Sequence, residues 1–418
     1  MNLNKPELLA PAGTMKSLRY AFAYGADAVY AGQPRYSLRA RNNEFGLDNI
    51  KLGIEHAHEC GGKFFLASNV LPHDNKIKTY LKDIEPVVAL GPDALIMADP
   101  GLMMMVRERW PELVIHLSVQ ANTLNSAAVR FWQSVGVQRV ILSRELSLKE
   151  IADIRQQCPD MELEVFVHGA ICIAYSGRCL LSGYFNHRDP NQGVCTNACR
   201  WDYKTHDAKE NESGDIVLIE ESSRQGDLMP MYEDEHGTYI MNSKDLRAIE
   251  HIQKLVEIGV DSLKIEGRTK SFYYVARTCQ AYRRAIDDAA AGKPFDPQLM
   301  LELDGLASRG YTDGFLQRHK PQDMQNYDHG SSQYSSQRFV GEIIGMAGDR
   351  LEVDVKNNFK VGQTVELLLP DGNHRFVLEH IEDADGVAMS EAPGSGYRLR
   401  IPAPAGVNAQ FGLLVADL

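Results

Sequence analysis

The chain has 418 residues, of which 24% are charged and 44% hydrophobic, and its formal net charge is −12. This apolar content is sufficient for a packed core and excludes wholesale disorder, and the length predicts two domains or one large barrel with an appendage. The acidic balance argues against a protein that binds nucleic acid over its whole surface, although a local basic patch is compatible with it.

Residues 1–11 hold several polar side chains and no apolar run, and no stretch approaches the roughly 20 apolar residues that a membrane helix needs. We therefore expect a cytoplasmic protein without a signal peptide and without a membrane partner. In the reducing cytoplasm, clustered cysteines indicate metal binding or catalysis more often than disulfides.

Short apolar runs alternate with segments of helical period over residues 5–290, as in residues 15–24, 77–90 and 125–135. Eight runs are rich in Val, Ile, Leu or Phe, as buried parallel strands are: residues 7–10, 28–31, 63–68, 94–98, 114–119, 139–143, 162–167 and 262–265. The pattern predicts an α/β fold, a TIM-like (β/α)8 barrel. An open doubly wound sheet is the alternative, but no G-x-G-x-x-G follows the first run.

The connection after the seventh predicted strand is far longer than an ordinary βα loop. Roughly 75 residues separate residue 167 from the next strong helical pattern near residue 243, and connections of this length are functional or disordered. Its first part, residues 169–201, contains four cysteines. Its second part, residues 205–240, is an acidic excursion in which residues 207–235 carry ten acidic and two basic side chains.

Two further parts are predicted beyond a barrel domain that spans residues 1–292. Residues 293–336 form a helical segment and a linker, and residues 337–418 form a small all-β barrel. Turn signals such as Asp371-Gly372 separate its short strands, among them residues 339–344, 351–355, 364–368 and 374–378.

Four of the seven cysteines lie within 28 residues in the spacing C-x6-C-x15-C-x3-C: Cys172, Cys179, Cys195 and Cys199. Four thiolates from one irregular loop can hold a tetrahedral zinc ion or an iron–sulfur cluster. Zinc sites usually have closely spaced cysteine pairs at both ends, so the wide first pair leaves a cubane cluster open beside zinc. Independent thiols or an oxidised pair are the remaining alternative. Helical patterns predict three buried cysteines without a role: Cys60, Cys158 and Cys279.

Polar residues follow most of the predicted strands, and a barrel of this type carries its functional groups at the carboxyl ends of its strands. Five are candidate catalytic residues: Arg144, Glu145, His168, Lys264 and Glu266. Seven are candidate substrate ligands: Tyr30, Arg35, Arg39, Arg41, Asn69, Gln120 and Arg268. Structural explanations remain open for several of the polar residues that follow strands. Asp99, another such residue, can cap a helix, and His168 can be a core histidine. Arg144 and Glu145 can form ion pairs with Lys264 and Glu266.

Known peptidase motifs are missing from the sequence. Residues 58–62 fail the H-E-x-x-H pattern at Gly62, and the Gly394-Ser-Gly396 run does not complete G-x-S-x-G. If the four clustered cysteines are ligands, the most attractive thiol nucleophiles are occupied. A dispersed catalytic triad stays open.

Residues 164–172, 175–179 and 195–200 resemble the signature of the collagenase-like peptidases, a family of unassigned catalytic type. Residues 1–37 and 262–268 also match, and the resemblance extends over nearly the whole chain. It implies a 4Fe–4S cluster on four ligands, none of which is missing: Cys172, Cys179, Cys195 and Cys199.

Within this family, residues 36–45 and 236–246 resemble the branch that hydroxylates the wobble uridine of tRNA to 5-hydroxyuridine. This resemblance implies prephenate as co-substrate and the tRNA anticodon loop as partner, whereas relatives hydroxylate ribosomal RNA or a quinone precursor. Arginine forks suit a dicarboxylate such as prephenate: Arg35, Arg39, Arg41, Arg144 and Arg268. Aromatic platforms suit a splayed base: Tyr30, Tyr175, Tyr184 and Tyr273.

The sequence is also compatible with two other functional hypotheses. One is a metallo- or thiol-peptidase that acts on collagen-like substrates, and the other is a non-catalytic RNA-binding module in which the C-terminal domain binds RNA. If a thiolate occupies every iron of the cluster, a structural or electron-transfer role is expected rather than direct substrate activation.

Overall fold

The computed structural model describes residues 4–38, 44–171, 203–206, 216–221, 228–234, 237–238, 244–308, 310–317 and 337–418. Within these ranges, no helix combines the length and the apolar character that crossing a bilayer requires.

Seven parallel strands follow one another along the first part of the chain: β1 (Glu7–Pro11), β2 (Ala28–Gly32), β3 (Lys63–Ser68), β4 (Ala94–Met97), β5 (Ile115–Leu117), β6 (Arg139–Ile141) and β7 (Glu162–Ala170). Each pairs with the next in sequence order. Their side chains are almost entirely buried, as expected for strands that have a barrel interior on one face and helices on the other.

The chain then leaves the barrel. An antiparallel sheet contains the strands β8 (Tyr203–His206), β9 (Ile216–Glu221), β10 (Leu228–Asp234) and β11 (Gly237–Thr238). The next strand, β12 (Asp245–Arg247), pairs antiparallel with the end of β7. The predicted start of a helix near residue 243 is therefore wrong. Asp245 and Leu246 are instead buried in this strand pairing.

The barrel is closed by β13 (Ser262–Ile265), which pairs in parallel with both β7 and β1. The predicted TIM-like barrel with a long insertion after its seventh strand is confirmed, and the open doubly wound sheet is wrong. A short strand, β14 (Tyr311–Thr312), extends the sheet beyond β12.

Helices alternate with the barrel strands: α1 (Met15–Ala23), α2 (Leu47–Glu59), α3 (Asp74–Val88), α4 (Pro100–Arg109), α5 (Ser126–Ser134), α6 (Leu148–Gln157), α7 (Ile252–Ile258), α8 (Phe272–Ala290) and α9 (Gln298–Asp304). Polar side chains cap several of them, and Ser147 forms a full capping box with Glu150. Asp99 accepts a hydrogen bond from the Leu102 amide at 2.8 Å and caps α4, which confirms its structural explanation.

Residues 337–418 form an antiparallel β domain: β15 (Gln337–Ala347), β16 (Arg350–Val355), β17 (Phe359–Lys360), β18 (Thr364–Leu368), β19 (His374–Val377), β20 (Ile381–Glu382), β21 (Ala388–Met389), β22 (Glu391–Ala392), β23 (Arg398–Pro402) and β24 (Leu413–Asp417). Eight of these strands form one sheet around a separate apolar core that includes Val353, Leu367 and Leu414. The predicted C-terminal all-β fold is confirmed.

The β domain docks on α1 and α8, on the outside of the barrel. Arg277 of α8 is buried and donates to both carboxylate oxygens of Glu366 at 3.2 Å. Tyr273 stacks on Phe339 with ring centroids 4.8 Å apart. Tyr273, one of the predicted base-stacking platforms, therefore lies in the interface between the domains and not at the barrel mouth.

Candidate active site at the barrel mouth

A line of buried charges runs through the barrel interior toward its carboxyl end. Lys264 donates to Glu164 at 2.8 Å, and Arg139 bonds to Glu164 at 3.2 Å and to Glu7 at 2.6 Å. Burial lowers the pKa of Lys264, although the Glu164 carboxylate acts in the opposite direction. The ammonium group also lies 4.3 Å from the ring centroid of Tyr30. These contacts fix Lys264 inside the barrel.

Arg144 and Glu266 form an ion pair at the mouth, with 3.1 Å between Nη2 and Oε2. Arg144 also donates to the Ala170 carbonyl at 3.1 Å, and its guanidinium group lies 3.9 Å from the ring centroid of Phe166. The Glu266 carbonyl accepts from the Tyr274 hydroxyl at 2.8 Å. A guanidinium and a carboxylate from the segments that follow β6 and β13 are thus held together.

Arg268 reaches the mouth from the loop that follows β13. Its Nη1 donates to Ser37 Oγ at 2.7 Å, and its guanidinium group lies 5.8 Å from the Tyr30 ring centroid. A Cβ atom at Gly32 would come within 1.9 Å of this nitrogen, so a larger residue there would displace the Arg268 guanidinium group from its present position. Tyr30 is itself buried, its hydroxyl donates to the Ile265 carbonyl at 3.1 Å, and burial raises its pKa well above 10. Its ring is therefore not an exposed stacking platform.

Amide and hydroxyl groups form another part of the mouth. Asn69 follows β3 and donates from Nδ2 to Ser118 Oγ at 3.4 Å, and Ser118 donates to Gln120 Oε1 at 3.2 Å. Gln120 is 5% exposed, and its Nε2 has no hydrogen-bond partner in the described part of the chain. Asn69 and Gln120 are thus brought together, as their positions after strands predict.

His168 is not brought to the mouth. The pairing of β7 with β13 shifts register by one residue between Lys264 and Ile265, so that Lys264 pairs with Phe166 and Ile265 with His168. This β-bulge turns His168 toward the helices, where its ring packs among Tyr274, Tyr282 and Tyr311. Burial lowers its pKa to about 3. The environment is that of a core histidine.

Two other candidates have contacts of their own. Glu145 accepts from the Ser143 hydroxyl at 2.7 Å and does not pair with Lys264. Arg35 pairs with Asp83 of α3 and donates to Thr79 at 3.1 Å, so it lies against the outer helix. Six predicted residues lie outside the described part of the chain: Arg39, Arg41, Cys172, Cys179, Cys195 and Cys199. The same holds for Tyr175 and Tyr184.

The three cysteines in the described ranges are free thiols. Cys158 and Cys279 are buried as predicted, and burial raises the pKa of Cys279. Cys60 is exposed, because it follows the last turn of α2, so its predicted burial is wrong.

Sequence reasoning missed Glu164, which is fully buried beside Lys264. A signal was available, because a period of two along β7 places Glu164 on the same face as Phe166, and an acidic side chain inside an apolar strand needs a cation on a neighbouring strand. The missing information was the register between β7 and β13.

The mouth therefore combines two guanidinium groups, a paired carboxylate and a buried amide. Arg144 and Arg268 can bind carboxylate or phosphate oxygens through paired N–H donors. Glu266 can accept a proton once a ligand competes for Arg144. The amide nitrogen of Gln120, which has no partner among the described residues, can donate to a carbonyl.

The family comparison covers almost the whole chain. The model of peptidase family U32 matches residues 13–326, and that of the peptidase family U32 C-terminal domain matches residues 335–415. The chain is 60% identical to tRNA hydroxylation protein P of Escherichia coli, over 99% of this chain and 97% of that protein.

Two further relatives extend the comparison. The chain is 54% identical to tRNA hydroxylation protein P of Haemophilus influenzae, over 99% of this chain and 96% of that protein. It is 30% identical to 23S rRNA 5-hydroxycytidine C2501 synthase of Escherichia coli, over 87% of this chain and 52% of that protein. The chain belongs to peptidase family U32.

Proposed function

We propose that the chain is a tRNA-modifying enzyme that hydroxylates the wobble uridine at C5, with prephenate as the hydroxyl donor. The observation that carries this proposal is the 60% identity, over nearly the full length of both proteins, to a relative named tRNA hydroxylation protein P. A tRNA substrate agrees with the cytoplasmic location expected from the sequence.

The charges at the mouth support a dicarboxylate co-substrate. Arg144 and Arg268 come from loops after two different barrel strands, and each is largely buried, which strengthens its interaction with an anion. A carboxylate that binds Arg144 would compete with Glu266. In the proposed exchange, the C–O bond of the donor breaks with its electron pair remaining on the donor carbon, while a C–O bond forms at C5. The released Glu266 is our candidate acceptor for the proton that leaves C5, and this proton is then available to the donor carbon.

We propose a 4Fe–4S cluster on Cys172, Cys179, Cys195 and Cys199. A set of four thiolates suits iron–sulfur clusters or zinc. The connection that carries them starts and ends at the mouth, because Ala170 pairs with Asp245 and its carbonyl accepts from Arg144. When bound, a cluster supplies electron transfer or orders the connection.

Anaerobic purification tests the cluster. We expect about four iron and four sulfide ions per chain, and an absorption band of the cluster at about 400 nm. Stoichiometric zinc without sulfide would replace the cluster with the zinc alternative.

Nucleoside mass spectrometry of tRNA tests the function. A strain that lacks this protein and any redundant pathway is expected to lose 5-hydroxyuridine derivatives, and the full-length chain is expected to restore them. Unchanged derivatives in that strain would refute the proposal.

Two alternatives remain testable in the same preparations. The relative named 23S rRNA 5-hydroxycytidine C2501 synthase favours ribosomal RNA as the other substrate class, so hydroxylated nucleosides of rRNA are measured beside those of tRNA. A peptidase rests on the family name alone, and sustained cleavage of a collagen-like peptide by cluster-loaded, protease-free protein would support it.

A further inference from the structure

We infer that Gln120 is a specificity determinant: its Nε2 donates a hydrogen bond to the C4 carbonyl of the target uracil and thereby selects uridine over cytidine. The inference rests on the proposed function, since it concerns a base bound in the same mouth.

Neighbouring contacts set the orientation of the Gln120 amide. The backbone N–H of Leu38 donates to Asn69 Oδ1 at 3.3 Å, which leaves Asn69 Nδ2 to donate to Ser118 Oγ. Ser118 Oγ also accepts from the Gln120 backbone N–H at 3.5 Å, so the hydroxyl proton is left for Gln120 Oε1. The oxygen of the amide is thereby used, and Nε2 remains as a donor.

This donor is buried and unpaired. Gln120 is 5% exposed, and within the described ranges Nε2 has no acceptor. On the same loop, the hydroxyl of Thr123 is also unpaired at 1% exposure. A buried donor without an acceptor is costly, and an acceptor on a ligand would remove that cost at Gln120.

The donor lies at the end of the barrel where chemistry is expected. Ser118 and Gln120 follow β5, and Asn69 follows β3, so these side chains share the carboxyl end of the parallel strands with Arg144 and Glu266. The amide groups and the ion pair therefore border one mouth.

Base chemistry then gives the selectivity. Uracil carries a carbonyl acceptor at C4, and cytosine carries an amino donor there. A base that enters with its sugar outward places its C4–C5 edge deepest, so the reacting carbon and the C4 substituent meet the mouth together. A fixed amide donor pairs with uracil and opposes cytosine. Discrimination between uracil and cytosine therefore depends on the hydrogen-bonding group of the site and not on the size of the site.

Two substitutions test this inference. Gln120→Met keeps the length of the side chain and removes the donor. Gln120→Glu keeps the acceptor for Ser118 and replaces the donor by a second acceptor, which suits the cytosine amino group. The matched control is Gln138→Glu: Gln138 precedes β6 at the opposite end of the barrel, and its Oε1 accepts from the Ile115 amide at 2.9 Å, a bond that a carboxylate retains.

The assay uses full-length, cluster-loaded protein with prephenate and tRNA transcripts that carry uridine or cytidine at the wobble position. It measures kcat/KM by nucleoside mass spectrometry and Kd by fluorescence anisotropy. We expect Gln120→Met to lower kcat/KM on the uridine transcript roughly tenfold or more. We expect Gln120→Glu to shift the ratio of the two transcripts toward cytidine, and Gln138→Glu to behave as wild type.

The assay separates the proposed function from the role of Gln120. If wild-type protein does not hydroxylate the uridine transcript, the proposed function is wrong, and the inference falls with it. If wild type is active and both Gln120 variants, folded by their melting temperatures, keep its uridine-to-cytidine ratio in both kcat/KM and Kd, the inference alone is wrong.

Discussion

Glu164 shows how single charges are held inside this barrel. Its carboxylate is fully buried and accepts from both Lys264 and Arg139. Charges removed from water are stable only when partners surround them, so the loss of one partner is expensive. The Lys264 ammonium also lies 4.3 Å from the ring centroid of Tyr30 and 5.4 Å from that of Phe166.

Replacing Glu164 by Gln leaves the Lys264 ammonium buried without its carboxylate. We expect the free energy of unfolding to fall by about 3–5 kcal/mol, measured by denaturant titration. Glu162→Gln is the matched control, because Glu162 also pairs with Arg139 but its side chain is 50% exposed. That variant should lose less than about 1 kcal/mol, and equal losses in the two variants would contradict this account.

At the scale of elements, the bulge in β7 decides which side chains reach the mouth. It turns His168 toward α8, where burial lowers the pKa of His168 to about 3, against about 6.5 in an unfolded chain. The unfolded state therefore takes up this proton first as pH falls. The stability that the neutral ring contributes is complete above about pH 6.5 and is lost progressively toward pH 3.

His168→Gln should remove this pH dependence. We expect the free energy of unfolding of the variant to decline less than that of wild type between pH 6.5 and pH 4.5, by up to about 1.4 kcal/mol per pH unit. Denaturant titrations at several pH values measure it. The control is His374→Gln, on exposed β19, which should follow wild type. Parallel wild-type and His168→Gln curves would show that His168 is not buried and neutral.

Gly169 ends the bulged segment and sets the position of Glu266. It has a φ of +103°, and a Cβ there would lie 2.4 Å from the Glu266 carbonyl oxygen. We expect Gly169→Ala to lower both the melting temperature and the hydroxylation rate. Gly61→Ala is the control, because Gly61 also has a positive φ, +72°, but open space for a Cβ. Its cost should be conformational only, about 1–2 kcal/mol, with the rate unchanged.

The sequence predicted most of the elements because their signals are local. The runs 63–68, 262–265 and 364–368 coincide with β3, β13 and β18, because a short apolar run is a signal that depends only on neighbouring residues. The expectation that functional groups follow the carboxyl ends of the strands likewise placed Arg144, Glu266 and Arg268 at one mouth. His168 and Glu164 could not be placed, because a bulge and an interstrand register depend on contacts distant in sequence.

At the scale of the whole molecule, the C-terminal domain is a fixed part of the protein. Arg277 is 1% exposed and bonds to both oxygens of Glu366 across the domain interface. Tyr24 adds hydrogen bonds to the carbonyls of Leu368 and Phe411 at 3.1 and 2.9 Å. Buried bonds of this kind hold the two domains in one orientation.

The substitution Arg277→Met tests how much the buried ion pair at the domain interface contributes to the stability of the protein. It leaves Glu366 buried without its guanidinium partner, and we expect a loss of about 3–5 kcal/mol by denaturant titration. Arg109→Met, which removes an ion pair with Glu85 between two exposed side chains, should cost less than about 1 kcal/mol. Similar losses in both variants would mean that the interface charge pair is not buried in solution.

The distribution of charge reconciles an acidic protein with an RNA substrate. Residues 207–235 carry ten acidic and two basic side chains, so they account for eight of the twelve net negative charges. The remainder is only mildly acidic, and two arginines lie at the barrel mouth. Local charge at that face, rather than the total, governs the encounter with tRNA.

In the proposed function, the barrel mouth hydroxylates a uridine of tRNA. The most direct measurement is nucleoside mass spectrometry of tRNA from a strain without this protein, complemented with wild type, Glu266→Gln or Glu85→Gln on the outer helix α3. We predict that wild type and Glu85→Gln restore 5-hydroxyuridine derivatives, and that Glu266→Gln, folded normally, restores about 100-fold less. Full restoration by Glu266→Gln, or none by wild type, would contradict the account.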